Sequence, residues 1–172
     1  LAKLNLTANN NLIIKQFDTL SSSFLSKYKA KFDLIVTNPP FGSEVLKEDN
    51  STFEKLYNAT NKNRIPTELA FISRSLDLLV DNGILAIVVQ KGVFTNINEL
   101  FTKARKEFSK TGQVIGMFEL PSETFYTTGT QSNTVLAFIK KVSNEASKSC
   151  VTWRKKITTI GFDGTGRLTE KN

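Results

Sequence analysis

The residues in this sequence best suited to chemistry are Asn38-Pro39-Pro40-Phe41. Consecutive prolines remove two amide donors and fix two φ angles, and they push Asn38 towards an extended conformation. The product is a rigid turn in which the Asn38 amide and the Pro39 carbonyl both present acceptors. Two acceptors converging on the hydrogens of a planar amino group pull its nitrogen lone pair towards a nucleophilic geometry. Phe41 adds a flat apolar face on which an aromatic base can stack. Such a site suits an exocyclic amine as nucleophile and needs no titrating base. The plainer reading is a strand exit stiffened by prolines, with Phe41 in the core. An Asp-Leu-Ile-Val strand before the turn, the adjacent aromatic and a long unpatterned segment after it favour chemistry.

The elements that must hold this turn alternate apolar strands with amphipathic helices, the pattern of an α/β fold with a largely parallel sheet. Leu12–Phe17 reads as a strand ending at Asp18, and Ser21–Lys31 as a short helix with Phe24, Leu25 and Tyr28 inward. Phe32–Thr37 is a second strand, stopped by Asn38-Pro39-Pro40. Pro66–Asn82 is the best helix: Pro66 suits a first helical position, Leu69, Ile72, Leu76, Leu79 and Val80 form one stripe, and Gly83 can close the end. Ile84–Val89 is a strand apolar on both faces, as in a sheet covered by helices on both sides. Asn96–Lys110 is a further helix, with Ile97, Leu100, Phe101, Ala104 and Phe108 inward. Gln113–Leu120 and Thr134–Lys140 are strands with no room for a helix between them, so they are expected to pair antiparallel at one sheet edge.

Gly42–Ile65 shows no period of either kind and is expected to be a mobile flap beside the turn. In an open α/β sheet, ligands bind at the carboxyl ends of strands, which marks Asn38–Gly42 by position alone. From Val142 onwards the chain is polar and weakly patterned, with a turn cluster at Gly161–Gly166. The expected organisation is therefore one unit over 1–141 and a C-terminal extension over 142–172.

Composition prunes the alternatives. The 172 residues suffice for one ordinary domain, and 40% hydrophobic with 23% charged residues is a globular balance. There is no His, which removes imidazole proton shuttles and most zinc sites, so no metal site is expected. A single Cys, Cys150, forms no disulfide within the chain and suits a reducing, cytoplasmic setting. Ile84–Val89 is the longest apolar run, far short of the ~20 residues of a membrane span. The net charge of +7 favours polyanionic partners. The chain opens Leu1-Ala2-Lys3-Leu4 without an initiator Met, as a fragment of a longer protein would.

Phe32-Asp33-Leu34-Ile35-Val36-Thr37-Asn38-Pro39-Pro40-Phe41-Gly42 resembles motif IV of the amino-methyltransferases that use S-adenosylmethionine. The wider chain resembles the adenine-specific (N6) DNA methyltransferases, particularly the modification subunits of type I restriction systems. Further segments agree in order: Asp18-Thr19-Leu20 resembles motif III, and Asp81-Asn82-Gly83 with Ile84–Val89 and Gly92-Val93-Phe94 resembles the middle of the sheet. Glu119-Leu120-Pro121, Phe125, Thr128-Gly129-Thr130 and the strand to Lys140-Lys141 resemble the hairpin region, and Ile160–Asp163 with Thr165-Gly166-Arg167 the tail.

The resemblance implies a Rossmann-like S-adenosylmethionine-dependent methyltransferase fold. It implies that Asn38 and Pro39, within the Asn38–Phe41 catalytic turn that includes Pro40, accept hydrogen bonds from the amino group of a flipped-out adenine. Phe41 would stack on that base, with Phe125 as a second aromatic wall and Phe118 as its rival. Asp18 would accept from the adenine amino group of the cofactor, S-adenosyl-L-methionine, and Asn38 would lie beside its methyl group. An isolated Asp18 could equally cap the following helix. The implied partners are DNA, a specificity subunit and a restriction subunit, with no membrane.

The family's Gly-rich cofactor loop and ribose-holding acid belong upstream of Leu1, so the fold is expected to be truncated on its N-terminal side. Leu1–Leu6 reads as the remainder of a helix. The two strands that such an upstream part carries would sit between the Asp18 strand and the Asn38 strand. The chain alone is accordingly expected to be inactive, to bind cofactor weakly and to self-associate through unpaired sheet edges. Two other functions compete: amino-methylation of an RNA base or a protein glutamine, and a non-catalytic assembly module. Lys103, Lys106 and Lys110 read as a solvated helix face, whereas Lys140, Lys141, Arg154, Lys155 and Lys156 are better placed to meet a phosphate backbone.

Overall fold

A computed structural model describes residues 15–47, 53–128, 133–143, 151–159, 161 and 167. Within them the chain runs α1 (Ser22–Tyr28), β1 (Phe32–Thr37), β2 (Glu44–Leu46), α2 (Glu54–Thr60), β3 (Arg64–Pro66), α3 (Thr67–Leu78) and β4 (Leu79–Gln90). It continues through α4 (Gly92–Thr95), α5 (Glu99–Phe108), β5 (Gly112–Glu119), a 3-10 segment (Ser122–Thr128), β6 (Thr134–Lys141) and β7 (Trp153–Lys156). The main sheet has the order β1-β4-β6-β5-β7. β1 is parallel to β4, β6 is antiparallel to both β4 and β5, and β7 is parallel to β5. Four of the five strands therefore point one way, and their carboxyl ends share one edge.

The antiparallel pairing of the two late strands is as expected, and a strand that the sequence pattern hides lies outside them. Trp153–Lys156 lacks apolar alternation and is exposed along its whole length. Its backbone pairs with Gly116–Glu119 all the same, bringing part of the 142–172 extension into the sheet. The first expected strand differs: Lys15–Phe17 forms none, and Leu12–Ile14 lie outside the described residues, as do Leu1–Leu6, Gly129, Thr130, Cys150, Ile160 and Phe162–Gly166.

The core occupies one face of the sheet. Leu85, Ile87 and Val89 of β4 and Val135, Ala137 and Ile139 of β6 pack with Leu56 and Tyr57 of α2, Leu69, Ile72 and Leu76 of α3, and Ala104 of α5. Strand alternation puts Leu34, Val36 and Trp153 on the other face, where they are 57%, 73% and 73% exposed. The helical cover expected on both faces is thus seen on one of them among the described residues. Ile97, expected inward, is 92% exposed, because Asn98 caps α5 by accepting the Phe101 N–H at 3.1 Å and leaves Ile97 outside the helix.

Gly42–Ile65 is not a flap in its described parts. Glu44–Leu46 pairs antiparallel with Arg64–Pro66, and α2 buries Leu56 and Tyr57 beside Phe53 and Ile65. The burial spacing Phe53, Leu56, Tyr57, Thr60 is helical but spans only two turns between polar residues, too short a run for its period to stand out.

The helix after Pro66 also ends earlier than expected. Pro66 is its N-cap, and its last carbonyls, Asp77 O and Leu78 O, accept the Ala30 and Lys31 N–H groups at 3.0 and 2.9 Å. Leu79 then pairs with Phe32, and β4 carries an irregularity before Ile84 meets Leu34. Asn82, with φ 66°, takes the left-handed conformation expected of Gly83. Gly83 is required for a different reason: a Cβ there would lie 2.9 Å from Val80 O and 3.1 Å from Phe32 O, both fixed backbone. Gly83→Ala is therefore expected to cost about 1–3 kcal/mol by overpacking. Denaturant titration checks it, and an unchanged midpoint would show that the β1–β4 junction yields freely.

Candidate active site

Asn38 follows the last residue of β1 at the sheet's carboxyl edge. Pro39 is buried, Asn38 and Pro40 are exposed, and Phe41 is half-buried. The turn is thus pinned through Pro39 while Asn38 stays open to solvent. Gly42 closes it with φ +73°, and a Cβ there would meet no atom within 4 Å. Backbone conformation, rather than lack of space, calls for glycine here.

The chain leaving the turn is clamped to the start of α3. Thr67 donates its N–H to Ser43 O at 2.9 Å, and the Ser43 and Thr67 hydroxyls lie 2.8 Å apart. The β2–β3 ribbon continues the join, pairing Glu44 with Pro66. The rigidity of Asn38–Phe41 therefore comes from its prolines on one side and α3 on the other.

Phe41 meets Phe125 edge to face, with ring centroids 5.8 Å apart and planes at 83°. Some eighty residues apart in sequence, the two rings join the β1 turn to the 3-10 segment that follows β5. Phe118 is engaged elsewhere, edge-on to Phe138 at 5.9 Å. Of the two aromatics weighed as partners of Phe41, it is Phe125 that stands beside it.

Asp18 is exposed, and its Oδ1 accepts the Leu20 N–H at 3.0 Å. It does not cap α1; the Ser21 hydroxyl does, accepting the Phe24 N–H at 3.2 Å. The Asp18–Ser21 turn is held by a buried cation, since Arg74 Nη2 donates to Leu20 O at 2.5 Å and its guanidinium lies over the Phe53 ring at 4.9 Å. Burial lowers the Arg74 pKa, and the Asp77 and Asp18 charges oppose that shift.

Glu68, which belongs to no motif in the sequence, is 3% exposed in the first turn of α3. Its carboxylate accepts from its own N–H and that of Gln90. It borders a cavity of about 230 Å³ between Gly42, Ser43, Gln90, Gly92 and Asn96. The only signal available was an acid just inside a helix start, which is commonplace. The basic residues separate as well. Lys141 donates to Leu79 O at 2.7 Å at the amino end of the parallel strands, whereas Lys156 lies at the carboxyl end with the turn. Among the described residues no cluster of His, Cys, Asp or Glu could hold a metal ion, and no helix is long and apolar enough to cross a membrane.

Solved structures share this sheet. The M protein of the type I restriction enzyme EcoKI is 22% identical with a TM-score of 0.63, over 90% of this chain and 31% of that one. The methyltransferase subunit of a type I restriction-modification system from Streptococcus thermophilus is 25% identical with a TM-score of 0.62, over 77% and 28%. A protein of Listeria monocytogenes described as a class I S-adenosylmethionine-dependent methyltransferase is 16% identical with a TM-score of 0.55, over 78% and 39%. This chain thus spans about three- to four-tenths of the length of these structures. No curated protein sequence matches it. The fold is that of a Rossmann-like methyltransferase, and the N-6 DNA Methylase profile matches residues 1–169. The chain belongs to the N-6 DNA methylase family.

Two outcomes are expected from this geometry. A double-mutant cycle on Phe41→Ala and Phe125→Ala should give a coupling of about 0.5–1.5 kcal/mol in unfolding free energy. Additive effects would mean that the rings do not support each other.

Burial raises the Glu68 pKa above 4.5, the two N–H groups opposing the shift. A carboxyl raised on folding binds its proton more tightly in the native state. Its contribution to stability is therefore full below the ordinary value and is lost as pH rises through the folded value. Glu68→Gln should flatten this part of the decline in urea-unfolding free energy between about pH 4 and 8. The decline due to Asp77, also raised by burial, should remain.

Proposed function

We propose that this chain forms the catalytic region of a site-specific adenine-N6 DNA methyltransferase of the type I restriction-modification class, which moves a methyl group from S-adenosylmethionine to a flipped-out adenine. The observation that carries this reading is the meeting of Phe41 and Phe125 beside the Asn38-Pro39 turn, in a chain of the N-6 DNA methylase family. The target nitrogen is out of reach inside a stacked duplex, so the base must leave the helix. Base–aromatic stacking is worth about 1–3 kcal/mol, and an edge-to-face aromatic pair about 0.5–1.5. A base can therefore displace the Phe41–Phe125 contact and gain by it.

Asn38 and Pro39 would then accept the two amino hydrogens, leaving the lone pair directed at the incoming methyl group. Positioning supplies the rate enhancement, in keeping with a site that has no His. The cofactor supplies a methyl group on a sulfonium centre. The exposed Asp18 carboxylate, oriented by the Leu20 N–H, fits its adenine amino group, and Asn38 fits the methyl end.

Proposed partners are DNA, a specificity subunit and a restriction subunit, in the cytoplasm. Self-association or dependence on a partner is supported by β1, which has one sheet neighbour among the described residues and exposes Leu34 and Val36.

Asn38→Ala in the complete protein should lower single-turnover methylation by at least about 10²–10³-fold, the loss typical of one aligned transition-state contact. Cofactor affinity should stay within a few-fold. Near-normal turnover would remove Asn38 from the mechanism. Methylation of RNA or a glutamine peptide in preference to DNA would replace the substrate.

A further inference from the structure

At the sheet edge that carries the aromatic pair, the strand ends also gather charge. Lys91 follows β4 and donates its ammonium to Glu119 Oε2, at the end of β5, at 2.9 Å. Arg154 of β7 approaches the other oxygen, Nη2 to Oε1, at 3.6 Å. Lys156 pairs with Glu119 along the β5–β7 ladder, and the Ile157 N–H donates to Glu119 O at 2.9 Å. The Lys91 hydrogen bond, aided by the charges of Lys91, Arg154 and Lys156, holds the Glu119 carboxyl below its ordinary value. Three cations thus surround one carboxylate, and the group keeps an excess of positive charge.

This cluster adjoins an open cavity of about 320 Å³ lined by Gln90, Lys91, Gly92, Thr95 and Asn133. A Cβ on Gly92 would meet nothing within 4 Å, so a ligand can approach the backbone there closely. A lysine ammonium has three donors, and Glu119 takes one of those of Lys91. The other two can reach an anion while the carboxylate fixes the side chain's position. Glu119 also leads within six residues to Phe125. The anion site and the aromatic pair therefore hang from the same strand end.

We propose that Lys91, Arg154 and Lys156, with the cavity at Gly92 and Asn133, bind phosphodiester groups of the nucleic acid strand beside the flipped nucleotide. This rests on the proposed methyltransferase reading. Base extrusion needs the flanking backbone held while the base leaves the stack, and a site tied to the Phe125 strand does this at the right place. Glu119 acts as a positioning residue and limits the cluster's net charge.

The test is the salt dependence of binding to a fluorescein-labelled DNA duplex of about 30 base pairs, using the complete protein. Combined Lys91→Gln, Arg154→Gln and Lys156→Gln should reduce the slope of log affinity against log salt by about two to three, and affinity at low salt at least about tenfold. Lys103→Gln on α5, ion-paired to Glu99 at 2.7 Å, should leave the slope unchanged. Glu119→Gln should tighten DNA binding even if it lowers the melting temperature, whereas a purely structural carboxylate would weaken both. An unchanged slope in the triple variant, or weaker binding by Glu119→Gln, overturns the phosphate site. So does loss of binding to a protein subunit with DNA affinity intact. Failure of the wild-type protein, assembled with its specificity subunit, to bind DNA at any salt would instead overturn the DNA methyltransferase reading itself.

Discussion

The parallel pairing of β1 with β4 is the constraint from which the site follows. Leu34–Thr37 run in register with Ile84–Ile87, so the end of β1 and the end of β4 arrive at the same edge. Parallel strands need a crossover, and here the crossover from 38 to 78 contains the turn, the β2–β3 ribbon, α2 and α3. The Asn38–Phe41 turn is the first thing on that crossover and the helix packed on the sheet is the last. Moving the register by one residue would turn the buried Leu85, Ile87 and Val89 to the opposite face, so the core itself holds Asn38 in place.

Rigidity reaches the turn from both directions. Upstream, Pro39 is buried and β1 is hydrogen-bonded to β4. Downstream, Ser43 is joined to Thr67 by two hydrogen bonds, and the ribbon beyond it rests on the buried Ile65. Arg74, one of two buried charged residues among the described ones, links the Asp18 turn to α2 through Leu20 O and the Phe53 ring. A lone buried cation is costly. This one gains a short carbonyl contact, an aromatic face and the Coulombic company of Asp77 and Asp18. The Asp18 turn, through Arg74, and the Asn38 turn, through Ser43 and Thr67, are thereby both tied to α3.

The edge is electrostatically uneven. Lys140 and Lys141 leave it because β6 runs against the other strands, and Lys141 is occupied with Leu79 O. Lys91, Arg154 and Lys156 remain on it because their strands run with β1. Strand direction, which leaves no mark on composition, sorts a basic sequence into cations on the turn's edge of the sheet and cations on the opposite edge.

The sequence by itself determined the local framework of the turn: a strand that stops before Asn38, two prolines that stiffen its exit, and an aromatic beside it. It also determined the α/β alternation and the antiparallel partnership of the two late strands, because burial period and connection length are local properties. Tertiary structure decided what depends on distant partners. The helix after Pro66 stops at Leu78 because Ala30 and Lys31 take its last carbonyls, and no residue near Leu78 announces that. Trp153–Lys156 becomes a strand because β5 offers an open ladder, although three of its four residues are cationic and it shows no apolar alternation. Phe125 rather than Phe118 faces Phe41 because Phe138 holds the other ring. Glu68 became notable only once α3 carried it under the end of β4. Side-chain type can be read along a chain, but burial and pairing belong to surfaces that only folding brings together.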